Sequence, residues 1–326
     1  MKCISASMII LAVVFLMQSC INEDISECND TALRLRFRYT LNNQYKDLFA
    51  AEVRQVTVYV FNADGKYVGS YSKYADELSA NYVMVIPLPE GRYQTVVFCD
   101  NSNTFSAGWI DGRTGSFDYR LQPGITTLAD FRIMLISRER SDGYLIPQLM
   151  PGSLYAGYTE NALSTDDGSS ITDVDLMKDT KIIKVKISGL DFLTRSTVVP
   201  DVYISAVNGS YKYDNNIDIV NGMLKYMPHN TSVTGNTMES DLKTMRLVKG
   251  LAPMLVIKDP SSSENLFNRD ITELILSNPY YVSQEDIDRQ DLFVFEINVS
   301  RSDNNNIVIS LLINGWKINS IIPGND

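Results

Sequence analysis

The segment from Ala32 to Tyr39 alternates strictly between apolar and basic side chains. After the first alanine, its residues follow in the order Leu33, Arg34, Leu35, Arg36, Phe37, Arg38 and Tyr39. Because successive side chains of a β-strand point to opposite faces of a sheet, this period of two predicts a strand. One face of that strand is expected to join a core, and the other to present arginines to solvent.

Strand-length apolar segments recur along the whole chain. They cover residues 56–60, 83–86, 93–99, 182–187, 203–207, 247–248, 254–257, 292–299 and 307–313. Turns that contain Gly, Asn or Pro separate them, as at residues 62–65 and 87–91. Only residues 46–53 and 285–291 predict short helices. The chain is therefore predicted to be all-β, with its short strands arranged as sandwiches.

The first 20 residues have the pattern of a secretory signal peptide that ends at a cysteine. A positively charged start precedes an unbroken apolar run at residues 9–17, which stops shortly before Cys20. A spanning helix needs about 20 apolar residues, so a permanent transmembrane segment is the poorer interpretation. Ser19 and Cys20 resemble the lipobox of bacterial lipoproteins, in which a small residue precedes a cysteine that is acylated before cleavage.

This pattern predicts that residues 1–19 are removed and that Cys20 becomes the lipid-bearing first residue. The alternative is an ordinary cleaved signal with an incidental cysteine. One acyl chain anchors a protein only marginally, whereas the two or three chains of bacterial lipoproteins would make a stable tether. The chain is therefore predicted to work at a bacterial membrane surface.

The composition of the mature chain indicates its size class and excludes one class of partner. Removal of residues 1–19 leaves 307 of the 326 residues, which suggests about two domains of about 150 residues each. The remaining 28 basic and 39 acidic side chains give a formal charge of −11. Nucleic-acid binding needs a clustered positive field, so no nucleic-acid partner is expected.

A polar stretch at residues 164–170 has no apolar period and predicts a boundary between the two domains. The chain then divides into a lipidated segment at 20–30, a first β-sandwich domain at 31–175 and a second at 176–326. A new series of strands opens at residue 182, so the second half is expected to be another sandwich of similar size.

Three cysteines remain after the predicted cleavage, namely Cys20, Cys28 and Cys99. If Cys20 carries lipid, Cys28 and Cys99 are an even pair in an oxidising, exported setting. A disulfide between them would attach the segment behind the lipid to the first domain. Two separately buried thiols are an equally good interpretation, because the sequence does not show whether the two Cα atoms lie at bridging distance.

Residues with catalytic or metal-binding chemistry are sparse. His229 is the single histidine, so a two-histidine metal site cannot form. The chain has no nucleophile-elbow motif, no phosphate-binding glycine-rich loop and no Cys-x-x-Cys motif. Residues 214–218 resemble the start of a calcium loop, but Ile219 replaces the glycine that such a loop requires. We therefore expect no enzymatic activity, no metal and no cofactor.

Several motifs in a fixed order resemble one protein family. They are the lipobox, Asp-Ile-Ser-Glu-Cys at 24–28, Val-Thr-Val-Tyr-Val-Phe-Asn-Ala-Asp-Gly at 56–65, Leu-Pro-Glu-Gly-Arg-Tyr at 88–93 and Ile-Asn-Gly-Trp at 313–316. Together they resemble the fimbrillin-associated anchor proteins of Bacteroidetes-type (type V) fimbriae. The resemblance covers essentially the whole mature chain.

The resemblance implies two transthyretin-like Greek-key β-sandwich domains in tandem. It also implies a structural lipoprotein, held in the cell outer membrane by lipid on Cys20, that anchors a surface fimbrium or forms part of it. Such a protein would support adhesion to an unknown host or bacterial ligand. It would join the fimbrial shaft subunits by β-strand complementation.

The apolar carboxyl-terminal segment could be the strand that is exchanged with another subunit. Its apolar residues are Trp316, Ile318, Ile321 and Ile322. The favoured interpretation is that this segment is the last strand of its own domain, because closing strands and donor strands look identical in sequence.

The tyrosines support an alternative function, that of a glycan-binding surface lipoprotein. Among the 18 tyrosines are the adjacent Tyr280 and Tyr281 and the loop residues Tyr155 and Tyr158. Exposed aromatic rings in sandwich loops can stack on sugars. Tyrosine is also favoured in strands and at sheet edges, and that preference accounts for most of them.

Overall fold

The computed structural model describes residues 31–100, 103–166, 170–190, 199–259, 265–301 and 307–321. Most regular structure in these ranges is β-strand. The strands in chain order are β1 Ala32–Arg38, β2 Gln55–Asn62, β3 Tyr67–Tyr74, β4 Val83–Pro87, β5 Arg92–Cys99, β6 Phe105–Ile110, β7 Phe117–Asp118, β8 Phe131–Leu135, β9 Ser137–Glu139, β10 Leu145–Pro147, β11 Tyr155–Tyr158, β12 Leu163–Ser164, β13 Ile171–Asp175, β14 Met177–Lys178, β15 Thr180–Ser188, β16 Asp201–Ala206, β17 Ser210–Lys212, β18 Leu224–Tyr226, β19 Asn230–Thr234, β20 Thr237–Met245, β21 Met254–Lys258, β22 Asn265–Asp270, β23 Leu292–Arg301, β24 Ile307–Ile313 and β25 Trp316–Ile321.

Three short α-helices interrupt the strands. They are α1 (Phe49–Glu52), α2 (Ile271–Leu276) and α3 (Gln284–Arg289). The helices predicted at 46–53 and 285–291 are confirmed as α1 and α3. Helix α2 was not predicted, although its cap Asp270 is followed three residues later by Glu273, which is a helix-start signal. In the described part of the chain no helix is long and apolar enough to cross a membrane.

The strands form five sheets, which we name A to E. Sheet A has the order β13-β1-β4, sheet B β14-β11-β5-β2-β3 with β12 also beside β5, sheet C β17-β8-β6-β7, sheet D β22-β21-β16-β18-β10-β9 and sheet E β19-β20-β15-β23-β24-β25. Most neighbouring strands are antiparallel. The prediction of a mostly β chain is confirmed, in the form of several open sheets.

Strand β1 has the predicted core face and the predicted basic face. Leu35 and Phe37 are buried at 0% and 1% exposure. On the other face, Asp173 of the parallel neighbour β13 accepts hydrogen bonds from Arg36 and lies 3.2 Å from Arg38 Nε. The arginines are thus partly neutralised by an acidic strand about 135 residues away in sequence, which the alternation in β1 could not reveal.

One predicted strand is wrong. Residues 247–248 form no strand; they follow β20 in an irregular connection. Leu247 is nevertheless fully buried, at 0% exposure. Two adjacent apolar residues indicate that a segment is buried, but they do not distinguish a buried strand from a buried loop.

The two halves of the chain are interleaved. The hairpin β9–β10 from the first half extends sheet D, because β10 pairs with β18 of the second half. In return β17 from the second half pairs with β8 in sheet C. The larger of two apolar cores also contains residues of both halves, for example Phe131 and Phe293. The boundary between residues 175 and 176 stays a prediction.

Candidate functional site

The cysteines predicted to matter are only partly covered by the structure. Cys20 and Cys28 lie outside the described residues, as does Ile322 at the other end. Cys99 ends β5 and is fully buried, at 0% exposure. Burial raises the pKa of its thiol well above the ordinary value. Lipidation of Cys20 and the pairing of Cys28 with Cys99 therefore stay predictions.

The apolar carboxyl-terminal segment forms β25, at one edge of sheet E. It pairs with β24, with Ile318 opposite Leu311 and Trp316 opposite Ile313. Ile318 is buried, at 8% exposure, whereas Trp316 is 40% exposed. Ile321 ends the pairing. In this structure the segment belongs to its own sheet, and its exchange with another subunit stays a prediction.

The two edge strands of sheet E differ in chemistry. Strand β25 carries Lys317 and a register shift against β24, and both features discourage the addition of a further strand. Strand β19 consists of Asn230, Thr231, Ser232, Val233 and Thr234, all of them exposed. It has no charged residue, no proline and no register shift in its ladder with β20. Strand β19 is therefore the edge of sheet E that is better suited to pair with another chain.

A tight hairpin sets the orientation of β19. Thr234 and Thr237 flank a two-residue turn in which Gly235 has φ +60°, the conformation of the first central residue of a type II′ turn. Such a turn closes on a hydrogen-bonded pair, and hydrogen-bonded and non-bonded pairs alternate along an antiparallel ladder. The backbone N–H and C=O groups of Thr231 and Val233 therefore point away from β20, toward the open edge.

An apolar groove lies where the chain passes from β18 to β19. Its volume is about 190 Å³, and Leu149, Met150, Met227, Pro228 and Lys243 are among its lining residues. Leu149, Met150 and Met227 are 57%, 51% and 39% exposed. Exposed apolar residues that are grouped in this way mark interaction surfaces more often than scattered ones do. The groove ends at His229, directly before β19, so the groove and the open edge are continuous.

The tyrosines of the predicted sugar platform occupy different environments. Tyr155 and Tyr158 were predicted to lie in a loop, but they begin and end β11. Tyr155 is buried in the core, and Tyr158 is half-buried. Tyr280 is 74% exposed, and its ring meets the ring of Trp316 edge-on with 5.3 Å between centroids. Tyr281 accepts a hydrogen bond from the side chain of Asn314. The exposed pair is thus Tyr280 with Trp316, a combination that the sequence did not indicate.

A second depression adjoins Tyr158. Its volume is about 400 Å³, and its lining includes Glu160, Asn161 and Asp175. An aromatic ring beside amide and carboxylate groups is a combination that can hold a polar organic ligand. In the described part of the chain no cluster of three or more His, Cys, Asp or Glu side chains could hold a metal ion.

An ion triad joins the first half of the chain to the second. Lys178 Nζ donates hydrogen bonds to Glu52 Oε2 and Asp291 Oδ2, both at 2.8 Å, and Tyr155 Oη donates to Glu52 at 2.7 Å. Burial raises the pKa of Glu52, but the hydrogen bonds from Lys178 and Tyr155 outweigh burial and lower it overall. The triad therefore connects α1, β14 and the residue before β23 through charged hydrogen bonds.

Two ionisable groups beside this triad are completely buried. Lys181 Nζ donates to the carbonyl oxygen of Asp288 at 2.6 Å, and Asp179 Oδ1 accepts from Asn215 Nδ2 at 3.0 Å. Asp179 Oδ2 has no partner among the described residues. Burial raises the pKa of Asp179 to about 7 and lowers the pKa of Lys181 to about 8. Neither group was predicted from the sequence, in which the available signal was a polar start to an apolar strand.

The amino-acid sequence itself matches a family. Residues 25–321 match the sequence profile described as fimbrillin-A associated anchor proteins Mfa1 and Mfa2. This confirms the predicted family resemblance; the lipobox precedes the matched residues. No curated protein sequence matches the chain significantly.

Three solved structures show the same fold. A protein from Bacteroides thetaiotaomicron, described as polysaccharide-binding, is 25% identical with a TM-score of 0.72, over 88% of this chain and 97% of that one. A protein from Bacteroides ovatus, described as an adhesin, is 23% identical with a TM-score of 0.73, over 88% and 94%. The fimbrial anchor protein Mfa2 from Porphyromonas gingivalis is 18% identical with a TM-score of 0.68, over 89% and 99%. Because the family profile covers nearly all of the chain, this protein belongs to the fimbrillin-A associated anchor proteins.

Proposed function

We propose that the chain is a structural lipoprotein that anchors a surface fimbrium in the cell outer membrane, or forms part of that fimbrium, and supports adhesion. The observation that carries the proposal is the match of residues 25–321 to a family of fimbrial anchor proteins. Membership of that family implies a structural role and not an enzymatic one.

The lipid anchor is the second part of the proposal. Cys20 follows a small residue at the end of an apolar signal segment, which is the pattern of a lipoprotein cleavage site. The tethered chain would comprise two transthyretin-like Greek-key sandwiches, at 31–175 and 176–326, that exchange the elements described above. A tether close to the first strand would leave the second half free to meet fimbrial shaft subunits.

We propose that the chain binds those subunits by β-strand complementation. An open sheet edge presents unpaired backbone donors and acceptors, and a strand from a neighbouring subunit satisfies them. Sheets D and E both end in strands with an open edge. Alternate side chains of the added strand would pack against the core side of the sheet.

A deletion strain and a Cys20→Ala strain test the anchor role together. Deletion should release fimbriae into the medium or change their length, and Cys20→Ala should release the protein from the outer membrane. Shearing the cells and quantifying fimbriae in the cell and medium fractions gives the readout, with Cys3→Ala in the signal segment as the matched control. Normal, attached fimbriae after deletion would contradict the proposal.

Glycan binding is a second candidate function, and the depression beside Tyr158 is the observation that favours it. The similar structure from Bacteroides thetaiotaomicron is described as a polysaccharide-binding protein, which supports the same candidate. A bound sugar would raise the melting temperature of the purified protein by mass action. Tyr158→Ala should remove that rise, and the absence of a rise with every sugar in a broad panel would exclude this candidate.

A further inference from the structure

We infer that the open edge of β19, together with the adjoining groove, receives an extended apolar segment of another fimbrial subunit. This inference rests on the proposed function and deepens it, since it names the edge at which strand complementation takes place. The occupant is a peptide in strand conformation, with apolar side chains at alternate positions.

The choice of edge follows from a comparison of all the strands at sheet ends. Apart from the two-residue β12, which pairs only with β5 and is too short to form a ladder, the five sheets have ten end strands in the described chain: β13, β4, β14, β3, β17, β7, β22, β9, β19 and β25. Nine of them contain a charged residue or, in β4, a proline. Charges and proline protect an edge from unwanted pairing. Strand β19 has neither, and its Thr and Val residues favour extended backbone.

The backbone of β19 is oriented to accept a strand. The N–H and C=O groups of Thr231 and Val233 point outward, as the hairpin geometry requires. The backbone of an extended peptide presents donors and acceptors at the same spacing and satisfies such a row. A folded apolar surface would leave these groups to water.

The side chains next to that backbone continue the core layer. Val233 lies opposite Met238, and Thr231 lies opposite Ser240, so each pair projects from the same face of sheet E. Met238 and Ser240 are buried, at 2% exposure each, whereas Val233 is 48% exposed. The apolar layer under sheet E thus extends to β19 but is left uncovered there. Alternate side chains of an added strand would cover it.

The groove would bury apolar side chains of the added strand, in addition to the backbone hydrogen bonds at β19. Leu149, Met150 and Met227 are exposed at its rim, and methionine side chains adapt to differently shaped partners. None of the residues that line the groove is acidic, although the chain as a whole carries 39 acidic and 29 basic side chains. Lys243, His229 and Tyr226 are its lining residues with polar side-chain atoms. An apolar segment with a neutral or acidic flank fits this lining.

Two substitutions on β19 and the groove test the inference. Val233→Pro removes one outward N–H, and proline is tolerated at such an edge position. Leu149→Glu places a charge at the rim of the groove. Each variant is expressed in the fimbriated bacterium from which the wild-type gene has been deleted. We expect the fraction of fimbriae in the medium to rise to that of the deletion strain, with an unchanged melting temperature and unchanged surface amount.

Val282→Glu is the matched control. Val282 is 81% exposed and lies two residues after Tyr280, whose ring contacts Trp316 at the β25 edge. Five strand spacings separate that edge from β19, which is about 24 Å. The control should retain attached fimbriae. Attached fimbriae with a folded Leu149→Glu variant, or equal release with Val282→Glu, would overturn the inference.

A photo-crosslinking residue identifies the occupant. Benzoylphenylalanine at position 149, but not at position 282, should crosslink in intact cells to a fimbrial subunit, within a segment of alternating apolar residues mapped by mass spectrometry. A product with a second copy of this chain, or with no polypeptide, would overturn the inference. If deletion of the gene releases fimbriae while the β19 and groove variants do not, the inference fails and the anchor function stands. If deletion has no effect, the proposed function itself fails.

Discussion

Asp179 and Asp288 are both buried, and they differ in how their charge is compensated. Asp179 has one hydrogen bond, from Asn215, and a second oxygen without a partner among the described residues. Asp288 accepts two hydrogen bonds from Arg246, at 2.8 and 2.6 Å, and a third from Gln284. An unsatisfied buried carboxylate is costly to ionise, whereas a bidentate pair with arginine is costly to break.

Asp179→Asn should change the pH dependence of stability. Burial raises the pKa of Asp179 in the folded chain to about 7. The protonated carboxyl group therefore contributes fully to the free energy of unfolding below about pH 4, and this contribution is lost as the pH rises through 7. The free energy of unfolding of the variant should match the wild type near pH 4. It should exceed the wild type by on the order of a few kcal/mol at pH 8.

Urea denaturation at pH 4.5, 6 and 8 measures this difference. The exposed turn residue Asp64 supplies the control, because Asp64→Asn should leave the wild-type curve unchanged in shape. A constant offset between Asp179→Asn and wild type at all three pH values would contradict the prediction. It would mean that the carboxyl group titrates normally in the folded chain.

Asp288→Asn should be far more destabilising than Asp173→Asn. The side chain of Asp288 is 4% exposed and that of Arg246 14%, so removing the carboxylate leaves a buried guanidinium uncompensated. Breaking such a pair costs about 3 to 5 kcal/mol. Asp173 and Arg36 are 39% and 32% exposed, and water screens their pair, so its loss costs about 1 kcal/mol or less. Chemical denaturation at pH 7 compares the two, and equal losses would contradict the argument.

At the scale of elements, Gly157 permits a close approach between sheets A and B. A Cβ atom on Gly157 of β11 would lie 2.8 Å from the carbonyl oxygen of Asp175 and 2.9 Å from Leu176 Cδ2. These contacts are shorter than a packed side chain tolerates, and one of the two atoms is fixed backbone. The strand therefore needs glycine for space, because its φ is not in the left-handed region.

Gly157→Ala should destabilise the protein by about 1 to 3 kcal/mol, as overpacking does in other cores. Gly69→Ala in β3 is the matched control, since its Cβ would meet only Tyr71 Cε2 at 3.9 Å. The free energy of unfolding from urea denaturation is the measurement. A Gly157→Ala variant as stable as Gly69→Ala would show that sheets A and B can separate without cost.

At the scale of the whole molecule, the interleaved sheets make the two halves depend on each other. Hairpin β9–β10 of the first half belongs to sheet D, and β17 of the second half belongs to sheet C. The larger core contains residues of both halves. Each half alone would expose edges and apolar faces that the other half covers in the complete chain. Folding of one half in isolation would therefore leave unpaired strands.

Expression of residues 31–175 and 176–326 as separate chains tests this dependence. Neither fragment should show a cooperative thermal transition by circular dichroism, and the two should form a one-to-one complex when co-expressed. The intact chain from residue 31 is the control. Cooperative unfolding of either fragment alone would contradict the prediction and would favour independent domains on either side of residue 175.

Much of the fold could be predicted from local patterns, and the candidate site could not. Strands β1, β2 and β5 and the turn at Gly65 follow from alternation and turn chemistry within a few residues. Helix α2 was missed because six largely apolar residues resemble a buried strand. The open edge at β19 went unnoticed for a different reason. Its four polar residues and single valine carry no signal of edge position until the order of the sheet is known.

The sequence by itself determined that the chain is mostly β, where most strands lie and that the amino terminus has the form of a lipoprotein signal. Each of these properties depends on residues that are close together in sequence, so a short stretch of sequence is enough to predict it. Only the tertiary structure decided which strands end the sheets, that Asp179 and Lys181 are buried, and that the two halves share strands and a core. These features depend on contacts between residues far apart in the chain, and no local period encodes which partners meet.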